Sequence, residues 1–236
     1  MKNLILSAIT SFLIISCSEK KPDTNTHIIG NIKGLSSGTL YLQKMVDTAL
    51  VAIDTVKIEG DSKFQIDLNL NSPEMFYLFL DRGVTNSLDN NLPVFAEPGT
   101  ITINTELDYF YANAKITGSK NQELFEQFQK VNTRYNGELL EISKEKFDAI
   151  RFKRLQDIDS INKKLDQKLT RKYLFAINFA LNNKDHEVAP YVALTELANT
   201  NIKYLDTINK SMTPKVAESK YGKLLKSYLI EITKKN

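Results

Sequence analysis

The hydrophobic period of this chain changes once, at Gly118-Ser119, and that change limits the fold more than any other feature of the sequence. Before it, apolar residues recur every second position. Phe64, Ile66, Leu68 and Leu70 alternate with Gln65, Asp67 and Asn69, as a strand with one buried and one wet face requires. Similar short runs occupy 28–32, 40–46, 50–58, 75–80, 92–96, 101–105 and 112–117, which predicts about eight strands. Turn chemistry separates them: Gly34 to Gly38, then Glu59 to Ser62, then Glu97-Pro98-Gly99-Thr100, where Pro98 presets φ and Gly99 accepts a positive one. The run 75–80 is apolar at every position, so it is expected to be a central strand covered on both sides.

After Gly118 the period is that of a helix. Ser119-Lys120-Asn121-Gln122 reads as a capping box, and Leu124, Phe125, Phe128, Val131 and Tyr135 form a helical stripe. A second, longer helix is expected to carry Phe147, Ile150, Leu155, Ile158, Ile161, Leu165 and Leu169 and to continue through Tyr173 to Leu181. A third is expected from about Asp185 through Leu197. Thr213-Pro214 reads as an N-cap followed by Pro at the first helical position, and Ser219 as the cap of a last helix. The expected fold is α+β: an antiparallel β-sandwich or partly open barrel over residues 27–118, then a helical region over residues 119–236 packed on it. Two separately folded domains are the alternative arrangement.

The first 26 residues follow neither period. Lys2 and Asn3 precede an apolar run of about a dozen residues that ends at Ser16-Cys17. That run is shorter than the ~20 residues a membrane-spanning helix needs. It reads as an export signal over residues 1–16, and Leu13-Ile14-Ile15-Ser16 before Cys17 resembles a lipobox. By that resemblance the Cys17 thiol is the lipidation site and becomes the first residue of the mature chain. Cys17 is the sole cysteine, and acylation accounts for an otherwise unpaired thiol in an oxidising compartment. Residues 17–26 are polar and contain Pro22, so they read as a flexible tether. The expected location is the cell envelope, with the membrane contacted through lipid on Cys17. Ser18 lacks the acidic character of an inner-membrane retention signal, which favours the outer membrane facing the periplasm.

In order, the motifs Ile28-Ile29-Gly30-Asn31-Ile32-Lys33-Gly34, Gly38-Thr39-Leu40-Tyr41-Leu42, Ile53-Asp54-Thr55-Val56, Lys63-Phe64-Gln65-Ile66, Val94-Phe95-Ala96-Glu97-Pro98-Gly99 and Ile116-Thr117-Gly118-Ser119 resemble the DUF4369 domain of lipoproteins of the Bacteroidetes type. Many such proteins continue into a thioredoxin-like domain with a Cys-x-x-Cys site. The helical half here resembles their connecting segment, and the single cysteine leaves no thiol–disulfide chemistry to carry over. What the resemblance implies is a place and an architecture, not an activity.

Chemistry is sparse. The chain has 31 basic and 28 acidic residues, a net charge of +3, which falls to +2 when Lys2 leaves with the signal; that balance argues against nucleic acid as a partner. His27 and His186 lie in different halves, so no metal or other cofactor is expected. There is no nucleophile elbow, zinc-binding His-Glu-x-x-His or P-loop. Gly118-Ser119-Lys120 could place a phosphate at a helix N-terminus, although a plain capping turn explains the same residues. Glu97, Glu106 and Asp108 are the candidates for paired carboxylates of a hydrolase. Asp54 is expected to make local hydrogen bonds. Tyr109, Phe110 and Tyr111 form the densest aromatic cluster and are the candidate ligand-binding residues, with core packing as the competing use. The stretch 144–172 holds ten basic and five acidic residues, which reads as a solvated helix face or a surface for anionic lipid or another acidic partner. The expectation is a non-enzymatic binding module for an envelope protein or peptide. The alternative is an accessory subunit that docks a separately encoded thioredoxin-like redox protein.

Overall fold

The computed structural model describes residues 24–83 and 88–235. Cys17, the signal and most of the expected tether lie outside the described residues. Eight strands come first: β1 Thr26–Lys33, β2 Ser37–Val46, β3 Ala49–Glu59, β4 Lys63–Leu68, β5 Glu74–Asp81, β6 Asn91–Ala96, β7 Gly99–Glu106 and β8 Lys115–Thr117. They form two open four-stranded sheets, ordered β4-β1-β7-β8 and β3-β2-β5-β6. Ile28, Ile66, Ile101 and Ile103 of the first sheet meet Leu40, Leu42, Phe76, Leu78 and Val94 of the second in one buried cluster, so the sheets pack face to face. The pairing is antiparallel except between β1 and β7, which run parallel from Thr26 opposite Gly99 to Lys33 opposite Glu106. The chain reaches that position through Glu97-Pro98, which carries it from the edge of one sheet into the middle of the other. Gly99 takes the positive φ (129°) expected of it.

Six helices follow: α1 Lys120–Arg151, α2 Ile158–Asn182, α3 Val188–Glu196, α4 Ile202–Ser211, α5 Pro214–Ala217 and α6 Lys220–Lys235. The first break falls later than the apolar pattern predicts. α1 runs unbroken through Gly137, so Phe147 and Ile150 belong to it rather than to the second helix. It stops at Phe152, followed by Lys153 at φ 57°. A lone glycine costs a helix about 1 kcal/mol, which antiparallel packing of α1 on α2 offsets. α4 escapes the sequence reading, although Ile202, Leu205 and Ile208 are spaced for it and Asn201 caps it by accepting from Lys203 N–H at 3.0 Å.

The helices have their own core, and β5 and β6 belong to both. Phe76, Leu78 and Leu80 of β5 point into the sandwich, while Met75 is buried among the helices and Tyr77 packs against that cluster. On β6, Leu92, Val94 and Ala96 face the sandwich and Phe95 faces the helices. Met75 and Phe95 lie opposite each other in the ladder. Strand parity therefore splits one pair of strands between two cores, which is how the run 75–80 can be apolar throughout.

Candidate functional site

The junction between sandwich and helices is built on Glu97, the residue after β6. Its carboxylate sits at the N-terminus of α1 and accepts from the backbone N–H of Lys120 (2.6 Å) and of Asn121 (3.3 Å). A carboxylate there meets unsatisfied amides and the positive end of the helix dipole. The position a phosphate would take at Gly118-Ser119-Lys120 is thus filled by the chain's own anion, and the capping reading of that motif is the one the geometry bears out. Ser119 is the N-cap and accepts from Gln122 N–H at 3.0 Å.

Asn121 is the centre of the junction. Buried to 2% exposure, its amide donates to Glu97 (2.7 Å) and to Glu187 (3.1 Å), and its carbonyl accepts from the N–H of Val188 (2.8 Å) at the start of α3. Glu187 is itself 2% exposed. A cleft of about 630 Å³ opens beside them, lined also by Ser72, His186, Lys215 and Glu218. The His186 ring bonds Asp185 at 2.9 Å, and this hydrogen bond holds the Asp185 carboxyl below the usual carboxylate range. Of the four carboxylates lining the cleft, Glu97 and Glu187 both accept from the Asn121 amide, Asp185 pairs with His186 and Glu218 with Lys223. Ser219 at the cleft donates its hydroxyl to Val216 C=O (2.6 Å), and Ser72 accepts from Lys220 N–H (3.2 Å). As arranged, the groups form a polar hinge joining two cores.

Of the carboxylates proposed from the sequence, Glu97 lies apart from Glu106, and Asp108 is exposed two residues beyond Glu106. Glu97 precedes the eight-residue β7 and Glu106 is its last residue, so the strand's length, roughly 24 Å, separates them. Glu106 is paired with Lys33 at 3.0 Å, and that ammonium holds its carboxyl below the ordinary value. Asp54 accepts from the N–H of its neighbour Thr55 (2.7 Å), a local bond of the expected kind. His27 pairs across the ladder with Asp67 at 2.7 Å. Among the described residues no group of three His, Cys, Asp or Glu side chains is placed to hold a metal ion.

The aromatic cluster is divided by the fold rather than assembled. Phe110 is fully buried in the sandwich core, whereas Tyr109 is 68% exposed at φ 60° and Tyr111 is half exposed. Asp89 holds the loop by accepting from the N–H groups of Phe110 (2.9 Å) and Tyr111 (3.0 Å). Consecutive side chains cannot share a groove here, because the middle one is needed as a core plug. Tyr111 lines a shallow concavity of about 200 Å³ between β6 and α1.

A different surface stands open. β3 is the edge of its sheet and, among the described residues, is paired to β2 alone. Leu50, Val51 and Ile53 on it, with Met45 and Val46 across the hairpin, are 37–47% exposed. The register passes from Leu42 opposite Asp54 to Gln43 opposite Ala52, so Ile53 is the extra residue of a bulge in β3 itself. Sequence reasoning took the same residues as ordinary strand and had no means of knowing that β3 would be an edge.

Residues 26–125 match the family described as Domain of unknown function (DUF4369). No curated protein matches the chain. No solved structure matches it either.

Proposed function

We propose that this chain, with its DUF4369 domain over residues 26–125, is a non-enzymatic interaction module of the bacterial cell envelope. In this reading it is held to a membrane by lipid on Cys17 and takes up an extended segment of a partner protein along β3. The observation that carries the reading is the edge itself. A strand edge offers a row of backbone donors and acceptors that an incoming strand satisfies, and apolar side chains alternating along it supply selectivity. Natural proteins protect such edges with charge; here Lys57 and Glu59 guard the far end of β3, while 50–53 presents apolar and small residues. The outer membrane facing the periplasm is the proposed location. A separately encoded thioredoxin-like redox protein is the second reading of the partner, and it rests on the resemblance of the helical half to the connecting segment of longer lipoproteins.

A photo-crosslinker placed at Val51 in cells tests the binding reading, with the same probe at Gln65 on the opposite sheet as the control. The expected result is one identified partner, joined through a defined segment at Val51 only and lost when Leu50→Lys and Ile53→Lys are combined in the probe-bearing chain. Equal labelling at both positions, or turnover by the purified chain traced to Glu97 or Glu187, overturns it. Mass spectrometry of the mature N-terminus tests the anchor, and an unmodified Cys17 defeats that part alone.

A further inference from the structure

α1 and α2 form an arm. Its base is packed into the helical core through Leu124, Phe125 and Phe128 on α1 and Ala176, Ile177 and Ala180 on α2. Beyond Asn132 the two helices are linked to each other by Lys168–Glu138 (2.6 Å) and Lys164–Glu145 (3.0 Å). At 1.5 Å per residue, the segment from Asn132 to Arg151 carries the tip roughly 28 Å outward. Ala149 and Ile161 are buried at that tip, Ile158 is half-buried, and four further apolar side chains around them face solvent. Phe147, Ile150, Phe152 and Leu155 are 64%, 55%, 63% and 67% exposed.

Cations surround this patch. Between 144 and 164 the chain carries seven basic residues, among them Lys144, Lys146, Arg151, Lys153 and Arg154, against Glu145, Asp148, Asp157 and Asp159, and Arg154 pairs with Asp157 at 3.3 Å. Glu145 is tied to Lys164, and the Arg151 guanidinium lies 5.4 Å from the centre of the Phe152 ring. Two phenylalanines and two aliphatic side chains gathered at one exposed end are not what water selects. With cations around them, they have the composition of an element that lies in a membrane interface. The apolar groups enter the headgroup–acyl boundary, and the long basic side chains reach the phosphates.

We infer that the tip of the α1–α2 arm docks on an anionic lipid surface, inserting Phe147, Ile150, Phe152 and Leu155 while the neighbouring lysines and arginines pair with phosphate headgroups. A second copy of the chain fits less well. Four side chains at these exposures present roughly 450 Å², short of the ~800 Å² per partner of a standard interface. A cationic tip also repels its own copy, whereas anionic lipid attracts it. The inference does not depend on acylation of Cys17.

The test uses residues 18–236, which contain every described strand and helix and lack Cys17. Co-sedimentation with phosphatidylglycerol–phosphatidylcholine vesicles is compared with pure phosphatidylcholine, at low and high salt. Binding is expected to the anionic vesicles and to weaken with salt. It is expected to fall at least about tenfold in F147S/F152S and about fivefold for each of Lys146 and Lys153 changed to Gln. Circular dichroism and thermal melting of these exposed-site variants are expected to match the parent, and I150S/L155S supplies a second apolar variant if the first does not fold. Absence of binding to the anionic vesicles, or undiminished binding by folded F147S/F152S, overturns the inference. So does a parent dimer that the same substitutions dissociate, which would assign the patch to a second copy.

Discussion

Gln122, in the first turn of α1, accepts the backbone N–H of Phe95 in β6 at 2.7 Å. One turn earlier in the same motif, Ser119 donates its hydroxyl to the Phe95 carbonyl at 2.6 Å. β6 is the edge of its sheet, so Phe95 turns both backbone groups away from the ladder and into a buried boundary. The helix start satisfies them as a fifth strand would, and closes the edge against other chains. The capping box is therefore half local: Ser119 caps Gln122, but the Gln122 side chain serves the sheet.

Gln122→Leu keeps the bulk and removes the acceptor, which leaves the Phe95 N–H buried without a partner. A loss of about 1–3 kcal/mol is expected from urea unfolding. Ser119→Ala, which removes a cap and the donor to Phe95, is expected to cost a similar amount.

Asn121 ties Glu97, Glu187 and the first turn of α3 together. Asn121→Ala is expected to destabilise by about 2–4 kcal/mol, since it strands a buried carboxylate and an amide at once. Asn121→Asp is nearly isosteric, yet it sets a third carboxylate between two others. Its stability deficit relative to the parent is expected to be larger at pH 7 than at pH 4, where protonation relieves the repulsion. Parallel thermal melts at the two pH values check this.

The Tyr221 hydroxyl accepts from Met75 N–H at 2.9 Å, and its ring packs edge-on against Tyr191 at 5.0 Å. Burial pushes both phenols well above the ordinary tyrosine value of 10.0. In the unfolded chain they ionise near pH 10, so there the unfolded state releases protons before the folded one. Their contribution is intact below pH 10 and is lost as pH rises above it. Alkaline unfolding followed by tyrosine absorbance is expected to begin there, and Tyr221→Phe is expected to flatten that dependence while costing about 1–3 kcal/mol at neutral pH, since it leaves the Met75 N–H buried without a partner.

Gly30→Ala is expected to destabilise by more than 2 kcal/mol in urea unfolding, because overpacking meets rigid neighbours. A Cβ at Gly30 would lie 2.4 Å from Phe64 Cζ and 2.5 Å from the Ile103 carbonyl oxygen. Gly118→Ala is expected to be at least as harmful, since it adds a positive φ (94°) to a 2.0 Å approach to the Thr100 carbonyl oxygen. Gly60→Ala, at a positive φ but with open space around it, is the milder control.

All eight strands and the start of α1 were legible because period-two and period-3.6 patterns are carried by neighbours in the chain. The last helix was legible for the same reason, with Ser219 at its cap accepting from Gly222 N–H at 3.3 Å. The α1–α2 break was misplaced because apolar residues at helical spacing continue across it, and the positive φ of Lys153 leaves no mark in composition. The parallel β1–β7 pair was invisible, since nothing in Ile28 or Ile101 encodes the direction of a partner some seventy residues away.

By itself, then, the sequence determined which segments are strands, which are helices and where one regime yields to the other. These are outcomes of side-chain alternation and capping within a few residues. Tertiary structure alone decided what the individual polar groups and aromatics do. Glu97 became a helix cap rather than half of a carboxylate pair, Asn121 became the joint between two cores, and Phe110 became a core plug between two exposed tyrosines. The physical reason is distance along the chain. Asn121 meets Glu187 across 66 residues and Tyr221 meets Met75 across 146, so those contacts follow from the path of the whole backbone and no local pattern specifies them.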